Sequence, residues 1–223
     1  MFAGHVGAAL AIGRVERRVN VGALIFATLL LDVALWLFVL LGWESVAIPA
    51  DFPRTHQAEF QFPYSHGLLA SLGWSALAGT ATFLWYPHLQ QARARAALLV
   101  AAAVFSHWLL DALVHAPELP VAGGASTKVG LGLWHVMPAA LALEACIAVA
   151  GVCLFVSGAG LSRRTKLSLG VLAMVVLSFT VAGMTVAPPP PSAVAMAGSS
   201  LAAIIVICAV AGWLGGPPRA VRA

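Results

Sequence analysis

Residues 94–115 read ARAALLVAAAVFSHWLLDALVH. After Arg95 the stretch carries no formal charge until Asp111, and about 20 such residues are enough to cross a hydrocarbon core of roughly 30 Å. It nevertheless holds His107, Asp111 and His115 four apart, and residues four apart on a helix share one face. The segment is therefore a membrane helix with an imidazole, a carboxylate and a second imidazole along one side.

The same apolar character recurs at 20–42, 66–87, 131–157, 167–187 and 194–214, with a stretch at 2–13 that is too brief to cross. Of the 223 residues, 61% are hydrophobic and 9% charged, against roughly 25% charged in an ordinary soluble domain. No soluble core absorbs that much apolar surface. The expected fold is an all-α integral membrane protein: one domain over 1–223 with six transmembrane helices and a short N-terminal half-helix. Arg14, Arg17 and Arg18 follow the 2–13 run instead of preceding it, the reverse of a signal peptide, so this segment is expected to be retained.

The formal charge of +4 could suggest an acidic partner, but the placement of the cations argues otherwise. Arg14, Arg17, Arg18, Arg93, Arg95, Arg163, Arg164, Lys166, Arg219 and Arg222 fall on alternate connections, and only Arg54 and Lys128 lie on the opposite side. The positive-inside rule then puts both termini in the cytoplasm, as in a multi-pass protein of a bacterial inner membrane. These charges are short flanks of spans, not a basic face interleaved with aromatics, so no nucleic-acid partner is expected. Cys146, Cys153 and Cys208 lie inside predicted spans, where a thiol behaves as a small hydrophobe.

On the outer side, 43–65 carries Pro49, Pro53 and Pro63 and reads as an irregular loop long enough to lie over a site. A second outer loop, 116–130, contains Pro117, Pro120, Gly123 and Gly124. His56 and His88 are expected to face solvent. The last two spans contain no ionisable side chain, whereas intramembrane ionisable groups usually mark a site or pathway. Chemistry is accordingly expected in 1–144, with 160–214 a two-helix scaffold.

Helical rise gives the depths. Counted from Arg95, His107 lies ~18 Å up its helix, Asp111 ~24 Å and His115 ~30 Å, while Asp32 lies ~21 Å above Arg18. His66 and His135 enter from the outer side at a similar level, and a half-helix dipping in from the cytoplasm would carry His5 ~13 Å into the membrane. Neutral nitrogen and anionic oxygen converging in this way suit a divalent ion such as zinc, with bonds of about 2.0–2.2 Å. Against that stand plainer roles: Asp32 and Asp111 as hydrogen-bonded buried carboxylates, His115 and His135 as interfacial groups, and His5 as a satisfied helix-end residue.

Gly4-His5, Leu31-Asp32, Tyr64-Ser65-His66-Gly67-Leu68-Leu69 and Ser106-His107-x3-Asp111 together resemble the bacterial inner-membrane metal-dependent hydrolases of the YdjM-like group, over about residues 1–140. The order His, Asp, His, HxxxD, His, His, Glu is also similar to that of the zinc-dependent phospholipase C fold. The resemblance implies metal ligation by His5, Asp32, His66, His107 and Asp111. His135 joins the candidate ligands, and His115 or Glu144 is expected as general base. Group members commonly carry a second acid two residues after the first, where this chain has Ala34, so one or two ions are expected instead of three.

The leading expectation is a metal-dependent hydrolase of a phosphoester or lipid-like substrate near the outer leaflet, with membrane lipid as its surroundings. A bound ion would lower the pKa of water from roughly 15.7 towards about 7. A transporter using the same polar column is the alternative, since broken helices line transporter sites. A non-catalytic membrane scaffold is the third.

Overall fold

The computed structural model describes residues 1–158 and 160–215, so Arg219 and Arg222 lie outside the described residues. The helices are α1 (Phe2–Val15), α2 (Val21–Thr28), α3 (Leu30–Leu41), the one-turn α4 (Phe52–Thr55), α5 (Leu68–Trp85), α6 (Ala92–Val114), α7 (Met137–Ser157), α8 (Arg163–Thr185) and α9 (Ala193–Leu214). Helices α5 to α9 are long and apolar enough to cross a membrane, which makes five, or six if the bent pair α2–α3 counts as one span. Each apolar run of the sequence coincides with a helix or, for 20–42, with that pair.

The run 20–42 reads in sequence as one continuous helix. Instead it breaks at Leu29, where α2 and α3 meet at 56°. Neither Pro nor Gly lies at the break. Leu29 adopts φ −102° and ψ 8°, and the Thr28 hydroxyl bonds back to the Ile25 carbonyl at 2.9 Å, a side-chain bond of the kind that competes with the helical ladder.

The short helix α1 is the hub of the bundle, packed on α7, α2, α6 and α8. Between helices in lipid, packing and close approach replace the hydrophobic drive, so small residues mark the contacts. Gly7 and Gly151 bring α1 and α7 backbone to backbone: a Cβ on Gly151 would collide with the Gly7 carbonyl. Gly22 does the same for α2 against α9, where a Cβ would strike the Cys208 carbonyl. Leu10, Leu24, Val100, Ala103 and Val104 fill the space among these helices as part of one buried cluster. The C-terminal end of α1 is tied to the foot of α6 by Arg95 donating to the Val15 carbonyl at 3.0 Å.

The two loops 43–65 and 116–130 are more ordered than their proline content suggests. Within 43–65, β1 (Ser45–Ala47) pairs antiparallel with β2 (Glu59–Gln61), Val46 opposite Phe60, with α4 between them. In the second loop β3 (Leu119–Pro120) pairs with β4 (Lys128–Val129). The chain then runs back along the end of α6, where Leu131 donates to the Ala112 carbonyl at 2.8 Å and Gly132 to the His115 carbonyl at 2.7 Å. These bonds satisfy carbonyls that a helix end leaves orphaned. Gly130, at φ 153°, makes the approach possible, because a Cβ there would collide with the Ala116 carbonyl.

Candidate metal centre

Asp32 of α3, His66 just before α5, and His107 and Asp111 of α6 meet inside the bundle, towards the end that carries the 43–65 and 116–130 loops. His66 Nε2 lies 3.1 Å from His107 Nε2 and 3.5 Å from Asp111 Oδ2. His107 Nε2 is 3.0 Å from Asp111 Oδ2. Asp32 Oδ1 closes the group at 3.6 Å from His66 Nε2 and 3.7 Å from His107 Nε2. His66, His107 and Asp111 are fully buried, and Asp32 keeps 21% of its side chain exposed.

The outer hydrogen bonds fix which ring nitrogens carry protons. His107 Nδ1 meets the Thr28 carbonyl at 2.6 Å, and a carbonyl only accepts, so Nδ1 is the donor. The break at Leu29 ends α2 at this residue and leaves the carbonyl available. On the other ring, Glu44 accepts from the Tyr64 and Ser65 amides at 2.7 and 2.8 Å and from the Ser65 hydroxyl at 2.6 Å. With its proton committed to Glu44, Ser65 Oγ accepts from His66 Nδ1 at 2.8 Å. In their neutral forms both imidazoles therefore aim Nε2 lone pairs at one another and at two carboxylates.

Clustered acceptors of this kind repel each other unless a cation or added protons lie among them, and the buried Met1 ammonium, 3.4 Å from Asp111 Oδ1, offsets part of that charge. Ligands about 2.0–2.2 Å from a tetrahedral ion stand about 3.3–3.6 Å apart; within His66–His107–Asp111 the separations run from 3.0 to 3.5 Å, and Asp32 Oδ1 lies 3.6 and 3.7 Å from the two imidazoles. The donor chemistry and spacing fit a divalent metal. Two overlapping sets could hold an ion, His66–His107–Asp111 and His5–Asp32–His107, and they share His107.

His5 lies under the cluster. Its ring stacks on His107 with centroids 3.7 Å apart, and its Nε2 is 3.1 Å from Asp111 Oδ1. Its Nδ1 is buried with no hydrogen-bond partner among the described residues. Glu144, expected as a possible base, instead accepts from the Ala3 and Gly4 amides at 3.0 and 3.3 Å. It caps the first turn of α1 from α7 and so holds the helix that carries His5.

His115, at the end of α6, stands beside the cluster with Nε2 3.8 Å from Asp111 Oδ2 and Nδ1 bonded to Glu118. The exposed His135 is turned back over Gly132, with no contact to the cluster among the described residues. His56, expected in solvent, lines the cavity beside the cluster, and its buried Nδ1 has no hydrogen-bond partner among the described residues. Glu44 and Glu118 are the partners that sequence reasoning missed. Both sit in loops: Glu44 lies far in sequence from His66, and Glu118 follows His115 by three residues but beyond the end of α6, where helical spacing no longer applies.

That cavity has a volume of about 400 Å³. Asp32, His66, Asp111 and His115 form its polar side, Trp36, Phe60, Phe62 and Trp134 its aromatic side, and residues of α8 and α9 the remainder. The expected scaffold pair is thus also a wall of the site. No protein-family model, no curated protein and no solved structure matches the chain.

Proposed function

We propose that this chain is a metal-dependent hydrolase of a bacterial cytoplasmic membrane, acting on the phosphoester of an amphipathic substrate reached from the outer leaflet. Its orientation follows the positive-inside rule, with α2–α3 as one broken crossing, six crossings in all and the Arg-rich connections in the cytoplasm. The observation that carries the reading is the convergence of the His66 and His107 Nε2 atoms with the Asp32 and Asp111 oxygens in a buried place. Asp32, His66, His107 and Asp111 would hold the ion, with His5 adjacent, and zinc suits this donor set. The YdjM-like resemblance of the same residues points the same way.

A divalent ion supplies Lewis acidity, polarising a phosphoryl oxygen and acidifying water. The chain's own contribution is orientation and proton handling. Glu118 holds His115 Nδ1 as a donor, which leaves Nε2 free to take a proton on the cavity side. As water adds to phosphorus and the bond to the leaving oxygen breaks, His115 takes the water's proton and returns one to the departing alkoxide. The Glu44–Ser65 pair fixes the tautomer of His66, as the Thr28 carbonyl does for His107.

The test is turnover by protein in nanodiscs against a panel of phospholipids and soluble phosphoesters. Product release that is lost on chelation, restored by zinc and abolished in His115→Ala with metal retained supports the reading. A metal-loaded, folded protein that releases nothing from the whole panel contradicts it. A transport reading draws on the broken α2–α3 pair. Against it, Leu10, Leu24, Val100, Ala103 and Val104 fill the bundle with apolar side chains where a path to the cytoplasm would run.

A further inference from the structure

The helices without ionisable groups in their spans form one side of the cavity that holds the cluster. From α8 come Phe179, Gly183 and Met184, and from α9 come Met196, Ala203 and Ile204. Helix α8 packs on α7 and α1, and α9 on α2 and α3, while the seam between α8 and α9 is less extensive than any of these. Two residues lining the cavity here, Phe179 and Ser199, are at the same time exposed on the outside of the bundle. The cavity therefore opens sideways, between two helices, into the region lipid occupies.

The depth of the opening is that of one leaflet. On α9 the lining runs from Met196, near the outer end of the helix, down to Ile204, ~12 Å along the axis, and half of the hydrocarbon core is roughly 15 Å. At the outer rim stand Ala187, Pro188 and Pro190. Across the same space lie Asp32, His66, Asp111 and His115. With a divalent ion held among them, a ligand filling this space is apolar along one side and anionic at one end.

We propose that the outer halves of α8 and α9 form an acyl-chain slot for a glycerophospholipid of the outer leaflet, which lays its phosphate against the cluster of α3 and α6. Hydrolysis of that phosphate rests on the metal-site reading above; occupancy of the slot rests only on α8 and α9. Gly183 is the natural place to obstruct it, since a Cβ there meets nothing within 4 Å, so a large side chain can enter without striking backbone.

The experiment uses the full chain in nanodiscs containing phosphatidylglycerol with a diazirine in one acyl chain. After irradiation, adducts are mapped by mass spectrometry, and the lipid-facing Leu72 and Leu77 of α5 serve as the baseline for ordinary annular contact. The slot predicts adducts at 179–187 and 196–204 above that baseline, and loss of the excess in Gly183→Trp. Ala203→Trp is the second variant, used if the first does not fold. Adducts no denser there than on α5, an excess that neither variant reduces, or cross-links joining two copies of the chain through these residues would overturn the slot. Metal is measured on the same samples: slot labelling in a protein that binds no metal would keep the slot and sink the hydrolase.

Discussion

Helices α6 and α9 are nearly equal in length, 23 and 22 residues, and both are apolar enough to cross a membrane. They divide the work of the molecule between them. Helix α6 turns His107 and Asp111 fully inward and meets Asp32, His66 and His5 there. Helix α9 has no ionisable group beyond Cys208, buries little beyond Ala197, Ile204 and Ala211, and lines the same cavity with Met196, Ala203 and Ile204. In a bilayer, charge is costly wherever it is put, so it is gathered on the helices at the centre of the bundle. Outlying helices are then left to decide what reaches it.

The two helices differ most at the carboxylate. Asp111→Asn on α6 is expected to abolish turnover and to weaken metal binding by more than the roughly 10–100-fold typical of changes to groups that merely support a ligand. Ile205→Ala, on the exposed side of α9, should leave turnover and metal affinity unchanged. Equal losses in the two variants, read by turnover and metal titration, would erase the distinction.

Glycines sharpen it next. Gly151→Leu forces α7 against the Gly7 backbone and is expected to cost more than the roughly 1–3 kcal/mol of ordinary overpacking. Gly198 of α9 faces open space, with nothing within 4 Å of the position a Cβ would take, so Gly198→Leu should change stability by no more than about 0.5 kcal/mol. Thermal unfolding of the two variants in one detergent separates them.

A smaller effect is expected at Ser65→Ala. Glu44 keeps its bonds to the Tyr64 and Ser65 amides, so the loop holds, but His66 Nδ1 loses its acceptor. Metal affinity should fall about 10–100-fold with the unfolding temperature little changed, as metal titration beside a thermal melt would read.

The smallest effect lies at the opposite end of the molecule. Arg18 grips Glu16 through two nitrogens at 2.8 and 3.1 Å. Burial raises the Glu16 carboxyl, but hydrogen bonds from Arg18 outweigh it and hold the pKa below its usual value. A depressed folded pKa contributes stability above the unfolded value of about 4.3 and loses it as pH falls through the folded one. The advantage of wild type over Glu16→Gln should therefore be level above about pH 5 and vanish in acid, as melting curves across pH would show.

Much of this is legible in the sequence. Apolar runs mark the helices because span length is imposed by the bilayer, and helical rise puts Asp32, His107 and Asp111 within ~6 Å of one another in height, with His66 entering from the opposite side at a similar level. The break at Leu29 is not legible, since Thr28-Leu29-Leu30 carries neither Pro nor Gly. What accompanies it is seen only in three dimensions: the Thr28 hydroxyl on the Ile25 carbonyl and His107 Nδ1 on the Thr28 carbonyl. The roles of Glu44, Glu118 and His56 depend on loop paths that periodicity does not encode. Glu144 and His135 show the same limit from the other side: sequence gives their depth but not their direction. Glu144 turns to the α1 amides, and His135 folds over Gly132.

In the reading proposed above, the Nε2 lone pairs of His66 and His107 and the carboxylates of Asp32 and Asp111 hold one or two divalent ions. Elemental analysis of the detergent-purified protein tests it most directly, with His107→Ala and Asp111→Ala measured alongside. Stoichiometric zinc or a similar divalent metal is expected in wild type, with its loss in both variants. Folded wild type that holds no metal, even after supplementation, would contradict it.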